Sequence, residues 1–275
     1  MRPLLAIDGD SLAHRAYHAL PKTMTRADGR PSGAIVGFAN FLVRLWQAEQ
    51  PRAVVVGFDT LDVPTYRHEL FPSYQTGREF DDAILEQLTL LPQLVEACGF
   101  AVAKAPGYEA DDFLAAAAGA EESRGGRTLV VTSDRDGFQL ASERTTILQP
   151  VRGVSELARI GPEQVRERYG VEPRQVPDFV ALRGDPSDRI PGARGVGEKT
   201  AAAVLGQYGS LEAALEAGRF AEQREELRLF RRIVTMDASA PLPSLLDQTA
   251  RWVEASRLLR EWGLGVVAQR LAALG

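Results

Sequence analysis

Leu4-Leu5-Ala6-Ile7-Asp8-Gly9-Asp10-Ser11-Leu12-Ala13-His14-Arg15-Ala16-Tyr17 opens with four apolar residues that run straight into an acid. A short apolar run bounded by a turn reads as a strand buried on both faces, as in a parallel sheet. Three more runs repeat the pattern. Ala53 to Phe58 ends at Asp59, and Thr128 to Thr132 leads to Asp134 and Asp136. Phe100 to Ala103 leads through a Pro-Gly loop to Glu109, Asp111 and Asp112, which open a helix from Phe113 to Ala120. Helical periodicity fills the gaps: Ser32 to Glu49 puts Ile35, Phe38, Phe41, Leu42 and Leu45 on one stripe, and Asp81 to Cys98 does so with Ile84, Leu88, Leu91 and Val95. This alternation predicts an α/β fold, a central, mostly parallel sheet flanked by helices with right-handed crossovers.

Past about residue 160 the strand-like runs stop. Helices are predicted from Gly161-Pro162-Glu163 towards Tyr169, then over 176–183, 199–208, 212–217, 222–234 and 253–273. The division is therefore an α/β core over 1–160 and a helical unit over 161–275.

At 275 residues, 45% hydrophobic and 25% charged, the composition is that of a soluble globular protein. No apolar run reaches the ~18 residues of a membrane span. The N-terminus is too short for a signal peptide, and the single cysteine, Cys98, has no disulfide partner, so a cytoplasmic setting is expected. A net charge of −5 counts weakly against a polyanionic partner, because carboxylates gathered for cations can account for it. Of 32 Lys plus Arg only Lys22, Lys104 and Lys199 are lysine.

In an open parallel sheet the carboxyl ends of the strands share one edge, where ligands bind. Asp8, Asp59, Glu109, Asp111, Asp112, Asp134 and Asp136 converge there on this reading. Singly, each could be a helix cap or a turn residue. Together they repel, which is reasonable only with cations among them, and an oxygen-only donor set selects Mg²⁺, with Mn²⁺ able to substitute. Arg183-Gly184-Asp185-Pro186-Ser187-Asp188 adds Asp185 and Asp188 from the helical unit, and nine acids suit two ions. Just beyond, Gly195-Val196-Gly197-Glu198-Lys199-Thr200 reads as a hairpin before a helix. Its bare backbone can approach a phosphate, with Lys199 adding a point charge. His14 and His18 have helical metal-binding spacing, but without a third ligand they read as surface or packing residues.

These residues resemble the 5′ nuclease, or flap endonuclease, family, especially the N-terminal domain of bacterial DNA polymerase I and its stand-alone relatives. The motifs are Ile7-Asp8-Gly9, Phe58-Asp59, Tyr108-Glu109-Ala110-Asp111-Asp112, Thr132-Ser133-Asp134-Arg135-Asp136, and Gly184-Asp185-Pro186-Ser187-Asp188 before Ile190-Pro191-Gly192. The resemblance implies a PIN/resolvase-like core, an arch at about 64–84 and a helix-hairpin-helix variant at about 176–208 that holds duplex DNA and a K⁺ ion. It implies that Arg15 contacts phosphate, Tyr17 stacks on an unpaired base, and Arg67 and Arg78 lie where the 5′ strand passes. Gly195, Gly197, Lys199 and Thr200 would hold DNA. One departure stands out: the family's lysine after the tyrosine at Tyr74 is here Gln75. Arg78 is then the substitute cation and, with Arg15, the expected catalytic arginine. The chain is expected to stop where the nuclease domain stops, without polymerase or proofreading domains.

The expected activity is two-metal hydrolysis of DNA phosphodiesters at 5′ flaps, nicks or recessed 5′ ends in replication and repair, by a nucleoid-associated monomer. Two other readings stay open. One is a flap- or branched-DNA-binding protein with weak turnover, motivated by Gln75. The other is a nuclease acting mainly on RNA primers or RNA–DNA hybrids.

Overall fold

The computed structural model describes residues 2–61, 63–77, 80–152 and 156–275. Its sheet contains β1 (Leu4–Asp8), β2 (Ala53–Gly57), β3 (Ala101–Ala103), β4 (Thr128–Val131), β5 (Thr145–Arg152) and β6 (Glu156–Ile160), in the order β3-β2-β1-β4-β5-β6. The first five are parallel and β6 is antiparallel to β5. Asp8 stands level with Gly57, and Ile7 with Val131. Strand order reverses direction between β1 and β4, so the switch-point crevice opens where Asp8 and Asp134 emerge.

In chain order the helices are α1 (Gly9–Ala19), α2 (Gly33–Glu49), α3 (Tyr66–Leu70), α4 (Asp82–Ala97), α5 (Ala110–Ser123) and α6 (Pro162–Tyr169). They continue with α7 (Val176–Arg183), α8 (Glu198–Tyr208), α9 (Leu211–Glu216), α10 (Arg224–Val234), α11 (Trp252–Glu261) and α12 (Gly265–Ala272). Alternate strand residues feed two cores. Leu5, Ile7, Val54 and Val56 pack with α1, α2, α4, α11 and α12. Leu4, Ala6, Ala53 and Val55 pack with α5, and beyond it with α6 to α10.

α5 sits close because of what faces it. A Cβ on Gly57 would come within 2.6 Å of the Ala110 carbonyl oxygen, so only glycine lets the N-terminus of α5 rest on the end of β2. That contact brings Glu109 and Asp111 to the sheet edge.

Two sequence expectations change. β5 and β6 extend the sheet beyond the four expected strands. The single last helix is two, α11 and α12, broken at Gly263, whose φ is 75°. These two pack on the α/β core rather than on the other C-terminal helices. The chain reaches them by a strap without regular structure. On it Gln248 N–H donates to Arg52 O at 2.8 Å, Gln248 Oε1 accepts from Val54 N–H at 2.8 Å, and Arg251 N–H donates to Cys98 O at 2.8 Å. Arg52, buried against Glu121, also donates to Leu245 O at 2.6 Å and Asp247 at 3.3 Å. The strap therefore latches the N-terminal edge of the sheet, opposite the crevice.

Candidate active site

Each acid at the crevice is held by the element that delivers it. Asp8 caps α1, accepting from Ser11 N–H at 2.9 Å, and its other oxygen accepts from Thr132 Oγ1 at 2.8 Å across the β1/β4 switch. Asp59 accepts from Ala110 N–H at 2.7 Å and so aligns the start of α5. Glu109 accepts from Thr65 Oγ1 at 2.8 Å and from Tyr74 OH at 3.0 Å. Asp134 accepts from Asp136 N–H at 2.9 Å, and Asp185 accepts from Ser187 N–H at 2.8 Å. The Asp185 loop closes on itself through paired backbone bonds of 2.8 Å between Asp185 and Ile190. Gly184 makes this turn possible: its φ is 85°, and a Cβ there would lie 2.8 Å from the carbonyl oxygens of Ile190 and Pro191.

The result is a cleft of about 1330 Å³ lined by Asp8, Asp59, Glu109, Asp111, Asp134, Asp136, Asp185 and Asp188, eight of the nine expected acids. Asp10, which the sequence reading passed over, also lines it, accepting from Asp59 N–H at 2.8 Å. Among the described residues no three His, Cys, Asp or Glu side chains already close on one ion position. The carboxylates stand apart on their own anchors.

Crowding shows in their proton affinities. Burial, then the charges of Asp59 and Asp134, push the Asp8 carboxyl from an ordinary 3.8 to about 7, against the hydrogen bonds from Ser11 and Thr132. Burial, with Asp59 and Asp112 adding to it, lifts Glu109 to about 7 although Arg67 and Thr65 oppose. Asp10, Asp111 and Asp136 are pushed well above the usual carboxylate range by burial with neighbouring acids adding, and at Asp111 the charge of Arg67 opposes the rise. Asp111 Oδ1 is buried with no hydrogen-bond partner. Acids in this state gain most from a bound cation.

Three expectations are corrected. Asp112 does not face the cleft. It is fully buried, with Oδ1 and Oδ2 each accepting from Arg67 at 2.8 Å and further bonds from Asp237 N–H and Glu109 N–H. Both oxygens are occupied within the protein, so it is a structural anchor rather than a direct ligand. Arg67 is its partner, 1% exposed and donating also to Ile233 O at 2.8 Å. That position ties α3, α5 and α10 together and also sets the guanidinium 3.5 Å from Glu109 and from Asp111 at the cleft wall. Tyr17 packs in the core beside α2, and its hydroxyl donates to Asp81 at 2.6 Å, so its ring has no face free for a base. Arg78, the expected second catalytic arginine, lies outside the described residues.

Arg15 lines the cleft and donates to Val151 O at 3.0 Å. Gln75, at a left-handed φ of 51°, donates from its amide to Tyr74 OH at 2.7 Å and to Asp188 at 3.1 Å. It bridges the Glu109 and Asp188 sides with a neutral group where the resemblance expects a cation. Gly195, Gly197, Lys199 and Thr200 form an exposed hairpin leading into α8. A Cβ at Gly195 or Gly197 would meet no protein atom within 4 Å, so the space before this backbone is open.

The N-terminal resolvase-like domain of 5'-3' exonucleases matches residues 3–170, and their C-terminal SAM fold matches residues 171–256. The chain belongs to the 5'-3' exonuclease family. The two matches meet at the end of α6. The chain is 44% identical over 215 residues to DNA polymerase I of Mycobacterium tuberculosis and 43% identical over 215 residues to that of Deinococcus radiodurans. Each match covers 78% of this chain but only 24% and 22% of the polymerase, so the chain spans about a quarter of the length of these relatives. In fold it is similar to the bacteriophage T5 flap endonuclease solved with DNA and metal ions, at a TM-score of 0.70, 17% identity and coverage of 99% and 98%. It is also similar to the catalytic core of Rad2 in complex with DNA substrate, at a TM-score of 0.60, 15% identity and coverage of 98% and 92%.

Proposed function

We propose that this chain is a structure-specific 5′ nuclease, a 5′-3′ exonuclease and flap endonuclease that hydrolyses DNA phosphodiesters with two divalent cations. The observation that carries the reading is the cleft itself. Carboxylates from four strand ends and from the Asp185–Asp188 loop line one space, and that loop runs directly into the open hairpin. Binding alone does not call for a wall of acids facing a polyanion.

The residues fit Mg²⁺. The acids lining the cleft are oxygen donors, Asp111 Oδ1 is buried without a hydrogen bond, and burial with the neighbouring acids raises the proton affinity of Asp8 and Glu109. Mg²⁺ keeps much of its water and takes one or two carboxylates, which suits acids that stand apart rather than a closed cage. Asp8, Asp59, Glu109 and Asp111 would hold the ions from one side, and Asp134, Asp136, Asp185 and Asp188 from the other. Bound there, divalent cations supply an activated water and stabilise charge at phosphorus, and Mn²⁺ would serve as well.

The protein's own groups do the positioning. Thr65, Tyr74 and Thr132 orient carboxylates by direct hydrogen bonds. Arg15 holds a phosphate beside the acids, and Arg78 would do the same from the arch. The hairpin at Gly195, Gly197, Lys199 and Thr200 grips duplex backbone without reading bases, with a K⁺ ion at its turn. The division of labour is a core over 1–160 that cuts and a helical unit from 161 onward that holds duplex. The enzyme would act as a monomer on chromosomal DNA in the cytoplasm, and RNA primer strands would pass the same chemistry. No helix among the described residues is long and apolar enough to cross a membrane.

Cleavage of a 5′-labelled flap duplex in Mg²⁺, Mn²⁺ or EDTA tests the proposal. Metal-dependent products ending at or near the junction are expected. Tight binding without cutting in either metal would replace it with a binding protein, and preference for matched RNA flaps would move the substrate class.

A further inference from the structure

The loop that carries Asp185 and Asp188 holds its next residue in a strained conformation. Arg189 stands at a φ of 61°, in the left-handed region where a β-carbon is crowded and glycine or asparagine is the easier occupant. The loop imposes this turn. Arg189 N–H donates to Pro186 O at 3.4 Å, and Ile190 N–H returns to Asp185 O at 2.8 Å, so the chain must reverse at 189. A long cation nevertheless occupies the place. It is exposed, and among the described residues its guanidinium makes no ion pair and no side-chain hydrogen bond.

Its direction is specific. A Cβ at Gly77 would lie 3.1 Å from Arg189 Nη2, so the guanidinium rests over bare backbone. The same 74–77 segment docks on the loop through Gln75, whose amide donates to Asp188 Oδ1 at 3.1 Å and whose backbone N–H approaches Asp188 O at 3.5 Å. Gln75 and Asp188 line the cleft, and Gly77 and Arg189 lie just beyond them along the chain. The cation therefore marks the rim of the seam between these two segments. Other arginines of the cleft are committed inward: Arg67 to Asp112, and Arg183 within 3.6 Å of Asp185 and Glu198.

We propose that Arg189 is a phosphate clamp for the unpaired 5′ strand, holding a phosphodiester at the rim just outside the acids. The inference rests on the 5′ nuclease reading. A wall of carboxylates repels a polyanion, so a strand entering the cleft needs positive charge at the entrance. Gln75 brings none from its side of the seam, and Arg189 supplies it from the other. A guanidinium takes two phosphate oxygens at once and reads no base, so the clamp accepts any sequence. Its function also accounts for the strain, since a left-handed arginine persists where the side chain is needed. The clamp acts on the free strand, while the hairpin holds duplex.

The test is equilibrium binding in Ca²⁺, over a range of salt, of a flap duplex and a flush duplex. A third substrate is the same flap with its first unpaired linkages replaced by uncharged methylphosphonates. Arg189→Asn should melt no lower than wild type, because asparagine accepts the left-handed turn. It should nevertheless bind the flap about five-fold or more weakly, with a slope of log affinity against log salt shallower by about 0.7. Arg189→Lys should restore most of both, and neither variant should change flush-duplex binding. On the methylphosphonate flap, wild type and Arg189→Asn should bind alike, because removing either partner removes the same contact. Equal loss on flap and flush duplex, or an Arg189→Asn deficit that persists in full on the methylphosphonate flap, would overturn the clamp. A wild-type protein that neither prefers the flap nor cuts it when Mg²⁺ replaces Ca²⁺ would overturn the 5′ nuclease reading instead.

Discussion

Replacing Asp8 by Asn should make the cation-free protein more stable while removing its activity, and the gain should depend on pH. Burial and two neighbouring charges raise the Asp8 carboxyl from 3.8 to about 7. Between those values the folded protein holds a proton that the unfolded chain has released, so stability falls as pH rises through the window. At 1.36 kcal/mol per pH unit, the full span is worth about 4 kcal/mol above pH 7. Asparagine keeps the acceptor for Ser11 N–H and carries no charge, so the variant should gain about 2–4 kcal/mol over wild type at pH 8 and almost nothing at pH 4. For a chain of this size that is roughly 5–15 °C in melting temperature. Thermal melts of both proteins in EDTA at pH 4, 6 and 8 give the difference directly. Saturating Mg²⁺ should reverse the order at pH 8, because cations stabilise only the protein whose acids bind them. A difference that stays flat with pH, or that favours wild type at pH 8 in EDTA, would refute the electrostatic account of the cleft.

Arg67→Ala leaves the Asp112 carboxylate buried without its partner and should cost about 3–5 kcal/mol in urea unfolding, not merely DNA affinity. A variant with wild-type stability and weakened DNA binding would return Arg67 to the DNA surface. Gln75→Lys places a cation between the Glu109 and Asp188 sides and should raise the single-turnover rate about ten-fold or more; an unchanged rate would show that the neutral bridge does not limit turnover. Gly197→Ala, at a φ of −101° with open space around the Cβ, should leave the melting temperature unchanged yet weaken flush-duplex binding. Gly195→Ala, at a φ of 72°, should lose both, with stability falling by about 1–2 kcal/mol.

The central sheet was legible because buried parallel strands are unbroken apolar runs, and Leu4 to Ile7 and Ala53 to Phe58 are of that kind. β5 was not: Thr145-Thr146-Ile147-Leu148-Gln149-Pro150 mixes polar residues with a proline, which sits at a register irregularity opposite β6. The nine acids were legible as types and as strand-end positions, but depth was not. Asp111 and Asp112 are consecutive on α5 and so point about 100° apart. One reaches the cleft and the other turns into the core, where an arginine from α3 meets it. Asp10 was hidden for the opposite reason, since an acid in the first turn of a helix is ordinary on dipole grounds. Gly77 and Arg189 were invisible as a pair because they meet only when the 74–77 segment docks on the loop of Asp185 and Asp188.

The strap gives the protein a timetable. Arg52 and Val54, at the start of the second strand, find their last hydrogen bonds on Leu245 and Gln248, more than 190 residues later. At synthesis rates of about 5–20 residues per second, the sheet edge waits roughly 10–40 s on the ribosome for its closing segment. Until then the Arg52 guanidinium has Glu121 but not Leu245 or Asp247, and the α2–α4 face lacks the cover of α11 and α12. A nascent chain can therefore display every acid of the cleft before the sheet beneath them is latched, and vectorial synthesis exposes an apolar face to chaperones until α11 and α12 emerge.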